Sequence, residues 1–187
     1  MVVIQEVSRE EILQWLPAIL DIYAQVHGLD ARAIAEREEI MRRHFGRRGY
    51  QGFIAVDGKR LVGFSYGYTG DPGQYWYDKV WAAMTPEQRS AWMEPEHFEF
   101  VELAVHPGWQ GQGIGGRLHD LLLEGRPEPV ALLTVRADNA PALRLYRKRG
   151  WQVVLDDFRF SPGGEKFLVM GKRLLSSSSP LCKDDYK

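Results

Sequence analysis

The chain has 187 residues, and its 44% hydrophobic and 26% charged residues predict one globular domain with a full core. The formal net charge of −1 provides no basic field that would attract nucleic acid or an anionic membrane surface. The single cysteine, Cys182, excludes an internal disulfide, and the sequence contains neither a secretory signal nor an apolar run long enough to span a membrane, so we expect a cytoplasmic protein.

Residues 2–68 predict strands and helices in mixed order. Ser8 and Glu11 have the spacing of a capping box, and the residues after them are apolar at helical intervals. Asp57-Gly58 lies between two apolar runs and predicts a β-hairpin. The predicted elements are a strand over 2–7, a helix after Ser8, a helix over 31–45, and strands over 51–56 and 61–68.

Residues 69–95 interrupt this pattern with a glycine-rich loop and two short helical segments, and we interpret them as an insertion that covers one face of the domain. The elements predicted after it are a strand over 97–105, a helix over 113–124, a strand over 129–136, a helix over 139–149, and strands over 151–155 and 165–170. This order predicts an α+β fold of three layers, in which one mixed sheet has helices on both faces. We expect residues 1–175 to form the domain and residues 176–187 to be a disordered tail.

A cluster of four glycines between a strand and a helix carries the chemistry of the sequence: Gly111, Gly113, Gly115 and Gly116. Glycines let the backbone approach a ligand closely, and a helix that begins among them points unpaired N–H groups outward. This combination predicts a phosphate or diphosphate site. The spacing also matches the dinucleotide-binding fingerprint, with Asp138 downstream, but five residues separate the strand from the first glycine and too little chain follows for a doubly wound domain.

Two longer motifs resemble the GNAT superfamily of acyl-CoA-dependent N-acyltransferases. Residues 103–118, LAVHPGWQGQGIGGRL, are similar to the end of the family's strand and its glycine loop. Residues 139–151, NAPALRLYRKRGW, are similar to the family's following helix, in which the matching positions are Asn139, Ala142, Tyr146, Gly150 and Trp151.

The resemblance implies a mostly antiparallel sheet in which a central pair of strands splays apart around acetyl-CoA. The backbone of Leu103, Ala104 and Val105 would pair with the pantetheine, and Asn139 would bind the cofactor arm unless it serves only as a helix N-cap. The loop that would hold the pyrophosphate consists of Gln110, Gly111, Gln112, Gly113, Ile114, Gly115 and Gly116. The histidines lack metal-ligand spacing, so we expect no metal.

Acyl transfer to an amine requires a base for the ammonium proton and a donor for the departing thiolate. Glu99 and Glu102 are the candidate bases, with another carboxylate or a water chain as alternatives. Strand alternation predicts that they face opposite sides, Glu99 with Leu103 and Glu102 with Phe100. The resemblance implies that Tyr146 is the thiolate's proton donor or contacts its sulfur; alternatively Tyr146 belongs to an amphipathic core face.

The acceptor pocket is predicted on the other side of the cofactor. Its candidate residues are aromatic and could form a wall or a cation–π cage for an ammonium group, although the two tryptophans could instead only pin the insertion: Tyr66, Tyr68, Trp76 and Trp81. We expect an N-acetyltransferase of small-molecule amines that binds neither nucleic acid nor membrane and could form a homodimer. The alternatives are a peptide or protein acetyltransferase and a non-catalytic acyl-CoA-binding domain.

Overall fold

One seven-stranded sheet organises the part of the chain that the computed structural model describes, residues 1–174. The strands are β1 (Val2–Glu6), β2 (Gln51–Asp57), β3 (Arg60–Thr69), β4 (His97–Val105), β5 (Val130–Arg136), β6 (Gln152–Phe158) and β7 (Phe167–Arg173). Their order in the sheet is β1-β2-β3-β4-β5-β7-β6. Only β4 and β5 pair in parallel, and the other neighbours are antiparallel. The predicted tail over 176–187, with Cys182, lies outside the described residues.

Within residues 1–174, six α-helices cover the two faces of this sheet. They are α1 (Arg9–His27), α2 (Ala31–Phe45), α3 (Tyr75–Ala83), α4 (Pro86–Trp92), α5 (Ile114–Leu123) and α6 (Ala140–Lys148). Helices α1 to α4 pack on one face, here called the front face, and α5 and α6 pack on the opposite back face. This arrangement confirms the predicted α+β fold. Within residues 1–174, no helix combines the length and the apolar character that a membrane span requires.

Local signals in the sequence set most of the element boundaries. Ser8 and Glu11 form both hydrogen bonds of the predicted capping box at the start of α1. The hairpin turns at Gly58, which has a φ of 60°. The strand predicted over 151–155 continues to Phe158, because β6 is an edge strand whose exposed Asp156 and Asp157 hide its apolar pattern.

Strands β4 and β5 separate after three residue pairs. His97, Phe98 and Glu99 pair with Val130, Ala131 and Leu132, respectively. Beyond Glu99, β4 stays paired with β3 as far as Val105, while β5 stays paired with β7 as far as Arg136. The two strands therefore splay, and each presents a free edge of backbone N–H and C=O groups to the slot between them.

A β-bulge interrupts β4 within this splayed part. Tyr66 and Gly67 are consecutive in β3, but their partners in β4 are Glu102 and Phe100, so Val101 is the extra residue. An extra residue reverses the alternation of side chains that follow it, because the period of a strand is two residues.

The prediction that Glu99 and Glu102 face opposite sides is therefore wrong. Glu99 lies opposite Tyr68 and Glu102 lies opposite Tyr66, and these two tyrosines share the front face. Leu103, predicted to share a face with Glu99, instead packs against the back-face core. Both candidate carboxylates thus lie on the same side of the sheet.

Candidate functional site

The glycine loop leads directly from the end of β4 into α5. Gly111 and Gly113 have φ angles of 77° and 78°, a left-handed conformation that L side chains adopt only under strain. Gly113 is the N-cap of α5 and supplies no side chain to the N–H groups of the first turn. Buried Ile114 anchors this turn in the back-face core, so the free N–H groups and the positive end of the helix dipole are available to an anion.

The loop is held against the slot by side-chain contacts. The Nε2 group of Gln110 donates to the backbone oxygen of Val105 at 3.0 Å. A Cβ atom on Gly115 would lie 3.6 Å from Val105 Cγ2 and 3.7 Å from Leu145 Cδ1, so Gly115 faces the space between the end of β4 and α6. A free strand edge beside bare helix N–H groups fits an extended pantetheine that ends in a diphosphate.

Glu102 lies in the splayed part of β4, where its side chain is 14% exposed. Its Oε1 atom is 3.3 Å from the guanidinium of Arg37, and that guanidinium stacks over Tyr23 with 4.8 Å between Cζ and the ring centroid. Burial raises the pKa of the Glu102 carboxyl to about 7, although the positive charge of Arg37 opposes the shift. A carboxyl group with this pKa can accept a proton near neutral pH.

Tyr146 lies on α6 and packs edge-on against Phe100 and Trp151. Burial raises the pKa of its phenol well above the usual value, and the negative charge of Glu102 raises it further. The phenol is therefore protonated at neutral pH and can donate a proton.

Glu99 has a different environment, at the last position where β4 pairs with β5. It is 3% exposed and His97 is 1% exposed, and α3 covers both, since Tyr77 stacks on the imidazole with 5.5 Å between ring centroids. Glu99 Oε1 and His97 Nε2 are 3.9 Å apart and neither has a hydrogen-bond partner within residues 1–174. A Cβ atom on Gly70 would lie 2.2 Å from His97 Nε2, so the space beside His97 and Glu99 leaves no room for a side chain at position 70.

The four aromatic residues predicted for the acceptor pocket lie in different surroundings. Tyr66 and Tyr68 are buried in the core beneath α2, where their hydroxyls contact His44 and Arg47, respectively. Trp81 stacks on Tyr77 inside the insertion. The acceptor pocket stays a prediction, since strand alternation alone cannot distinguish a core tyrosine from one that lines a pocket.

Trp76, the fourth of these aromatic residues, and Asn139 make contacts at the end of β5 and the start of α6. The Trp76 indole N–H donates to Thr134 Oγ1 at 3.3 Å, so Trp76 crosses from the insertion to the splayed part of β5. Asn139 caps α6, since its side-chain oxygen accepts from the N–H of Ala142 at 3.2 Å. This cap leaves the Asn139 amide nitrogen available for a ligand.

Sequence analysis missed Arg37 and Tyr23, which surround Glu102. A signal for Arg37 was present, because it follows Ile34 by three residues and precedes Met41 by four, which puts a charged residue on the buried face of α2. Such a residue requires a buried partner. Within residues 1–174, no three His, Cys, Asp or Glu side chains are grouped as metal ligands.

Comparison with known proteins gives consistent findings. The acetyltransferase (GNAT) family model matches residues 12–151. A GCN5-like protein acetyltransferase of Mycobacterium tuberculosis is 29% identical over 160 residues, which cover 70% of this chain and 78% of that protein. The N-alpha-acetyltransferase RimI of the same organism is 45% identical over 60 residues, 32% of this chain and 38% of that protein. The ribosomal-protein-S18-alanine N-acetyltransferase from Escherichia coli shares the fold, with a TM-score of 0.64 and 21% identity over 100% of both chains.

The glycine loop generates a direct prediction for cofactor affinity. In Gly115→Val the Cβ fits the folded chain, but the added methyl groups fill the space between β4 and α6. We expect the Kd of coenzyme A, measured by isothermal titration calorimetry, to rise at least about tenfold, or ~1.4 kcal/mol.

Gly125→Asn is the matched control, because Gly125 follows the other end of α5 at a φ of 66°, which asparagine tolerates. Its coenzyme A affinity should equal that of the wild type. A folded Gly115→Val protein with wild-type affinity would contradict a diphosphate site at this helix start.

Proposed function

We propose, from the premise that this chain belongs to the acetyltransferase (GNAT) family of acyl-CoA-dependent N-acetyltransferases, that it acetylates an amino group of a protein or peptide. We further propose Glu102 as the general base and Tyr146 as the general acid. The observation that carries the assignment is the position of Glu102, a largely buried carboxylate in the splayed part of β4 with its Oε1 atom 3.3 Å from Arg37, where burial raises its pKa to about 7.

Acetyl-CoA supplies an acetyl group already activated as a thioester. The free edge of β4 at Leu103, Ala104 and Val105 would hold the pantetheine arm, and the N–H groups over 111–116 would hold the diphosphate. Glu102 lies beside this free edge, in the splayed part of β4, and would accept the proton of an amine bound there.

Glu102 acts on the acceptor. An α-amino group has a pKa of about 8 and a lysine of about 10, so most of either is protonated at neutral pH and cannot attack a carbonyl. The ionised Glu102 removes one proton from the ammonium, and the freed nitrogen lone pair then forms the bond to the acetyl carbon. Arg37 keeps part of the Glu102 population ionised at pH 7 by lowering a pKa that burial raises.

Tyr146 acts on the leaving group. Breaking the carbon–sulfur bond leaves a thiolate, and the Tyr146 hydroxyl gives it a proton to form the coenzyme A thiol. The raised pKa of Tyr146 keeps this proton in place until the thiolate forms. The proton held by Glu102 returns to solvent. The second proton of the nitrogen, lost as the amide forms, reprotonates Tyr146, so each turnover of an ammonium acceptor releases one net proton and both residues recover their starting states.

The acceptor class rests on the relatives. Two curated relatives are named a protein acetyltransferase and an N-alpha-acetyltransferase, which supports a protein or peptide amine. The small-molecule acceptor expected from the sequence stays a prediction. A thiol-release assay with acetyl-CoA tests both, using peptides with free N-termini, N-terminally blocked peptides with one lysine, and a panel of small amines.

We expect turnover with at least one peptide set and weaker turnover with the small amines. The reverse preference would contradict the peptide assignment. Binding of acetyl-CoA without turnover of any acceptor would favour the non-catalytic alternative.

The choice of base can be tested by paired substitutions in β4. Because Glu102 must be ionised to act, kcat/KM should fall as the pH drops below about 7. Glu102→Gln should lower kcat/KM by about 10²- to 10⁴-fold. It should also remove the fall of kcat/KM at low pH, here called the acid limb of the pH profile. Glu99 lies on the same face of the sheet, where β4 is still paired with β5, and Glu99→Gln should retain the acid limb.

Both variants should be assayed on the same peptide, so that titration of the acceptor contributes equally to both profiles. Loss of the acid limb in Glu99→Gln, with its retention in Glu102→Gln, would overturn the assignment of the base.

Removal of Arg37 gives a second, independent test, because it should move the acid limb of the kcat/KM profile to higher pH. Because the positive charge of Arg37 lowers the pKa of Glu102, Arg37→Gln should raise that pKa above 7. Activity should then be lost at pH 7 and recover at higher pH. Arg32→Gln is the control, since Arg32 is exposed on the same helix and pairs with Glu36. A limb that does not move in Arg37→Gln would show that the titrating base is not Glu102.

A further inference from the structure

The ring of Tyr146 is enclosed by three other rings on the back face. The centroids of Phe100, Trp151 and His119 lie 6.1, 5.8 and 6.1 Å from that of Tyr146. Phe100 and Trp151 meet Tyr146 edge-on, and both also contact His119. His119 is the one member of this group that can fix its neighbours by hydrogen bonds through both sides of its ring.

Two hydrogen bonds define the state of His119, which is 2% exposed. The indole N–H of Trp151 donates to His119 Nε2 at 2.8 Å, so this nitrogen carries no proton. The proton of the neutral imidazole therefore lies on Nδ1, from which it is donated to Asp120 Oδ1 at 2.8 Å. Burial lowers the pKa of His119 to about 4, which keeps the ring neutral and the Trp151 bond intact at physiological pH.

Asp120 is itself fixed from the helix that carries Tyr146. Arg149, at the C-terminal end of α6, binds both carboxylate oxygens of Asp120, at 2.7 and 3.1 Å. A Cβ atom on Gly116 would lie 2.4 Å from Arg149 Nη2, so the guanidinium occupies the room that this glycine leaves. The chain of contacts thus runs from the first turn of α5 through Arg149, Asp120 and His119 to Trp151.

We propose that His119 is a positioning residue for Tyr146, which it acts on through the hydrogen bond to Trp151. Fixing Trp151 and Phe100 in place fixes the Tyr146 ring between them, and with it the direction of the hydroxyl. This inference rests on the proposed function, in which Tyr146 is the proton donor. Proton transfer requires the donor within hydrogen-bond reach of the acceptor, so a small displacement of the ring lowers the rate.

The alternative is that His119 only fills the core. His119→Leu distinguishes the two roles, because leucine occupies a similar volume but offers no acceptor to the Trp151 N–H. We expect kcat for the peptide identified in the thiol-release assay to fall about tenfold, with the KM for acetyl-CoA nearly unchanged, an effect typical of coupled residues in contact. His119→Gln should restore most of kcat, since its side chain can accept from Trp151 and donate to Asp120.

The decisive measurement is a double-mutant cycle with Tyr146→Phe. If His119 acts through Tyr146, the cost of His119→Leu on kcat should disappear in the Tyr146→Phe background. Leu122→Ala is the matched control, because Leu122 is fully buried on the same helix. Its cost should be the same in both backgrounds.

The kcat values distinguish a failure of the proposed acid from a failure of the positioning role. A Tyr146→Phe variant with wild-type kcat contradicts the proposed acid, and with it this inference. A lowered kcat in Tyr146→Phe, combined with fully additive costs for His119→Leu, overturns the positioning role alone. Independently of turnover, NMR should detect the proton on Nδ1 of His119 and a loss of ring contacts between Tyr146 and Phe100 in His119→Leu. Unchanged ring contacts between Tyr146 and Phe100 in His119→Leu would also overturn the positioning role of His119.

Discussion

The early end of the parallel ladder between β4 and β5 is the constraint on which the site depends. Only three residue pairs join the strands, and Glu99 opposite Leu132 is the last. A longer ladder would bury the backbone groups of residues 103–105 and close the slot. Because β4 remains paired to β3 and β5 to β7, each strand keeps one ladder while its other edge is free. An acyl carrier can therefore be bound as an additional strand without unfolding either one.

The bulge at Val101 gives this slot its chemistry. Without the extra residue, Glu102 would face the apolar cluster around α5 and α6, where an ionised carboxylate has no compensating partner. With it, Glu102 faces α1 and α2 and meets Arg37. Two opposing effects then set its pKa: burial favours the neutral acid, while Arg37 favours the carboxylate. Their balance near 7 gives a group that changes charge in the physiological range.

The back face makes a complementary contribution. The packing of Phe100 and Trp151 that holds Tyr146 also forms the core between α6 and the sheet, so the same contacts stabilise the fold and orient a polar group. Gly116 and Arg149 join this cluster to the start of α5. The region around the slot is thus organised by both layers: the front face presents a carboxylate, and the back face presents a phenol and the free N–H groups of α5.

The sequence by itself determined what depends on neighbouring residues: the capping box of Ser8 and Glu11, the left-handed glycines of the loop, the order of helices and strands, and the family motifs. Tertiary structure decided the rest. The bulge arises from pairing with β3, so alternation within β4 could not reveal that Glu99 and Glu102 share a face. Arg37 reaches Glu102 across 65 residues of chain, and burial by distant elements raises the pKa of that carboxyl. Local patterns carry no information about such contacts, because partners and desolvation exist only once the layers have packed.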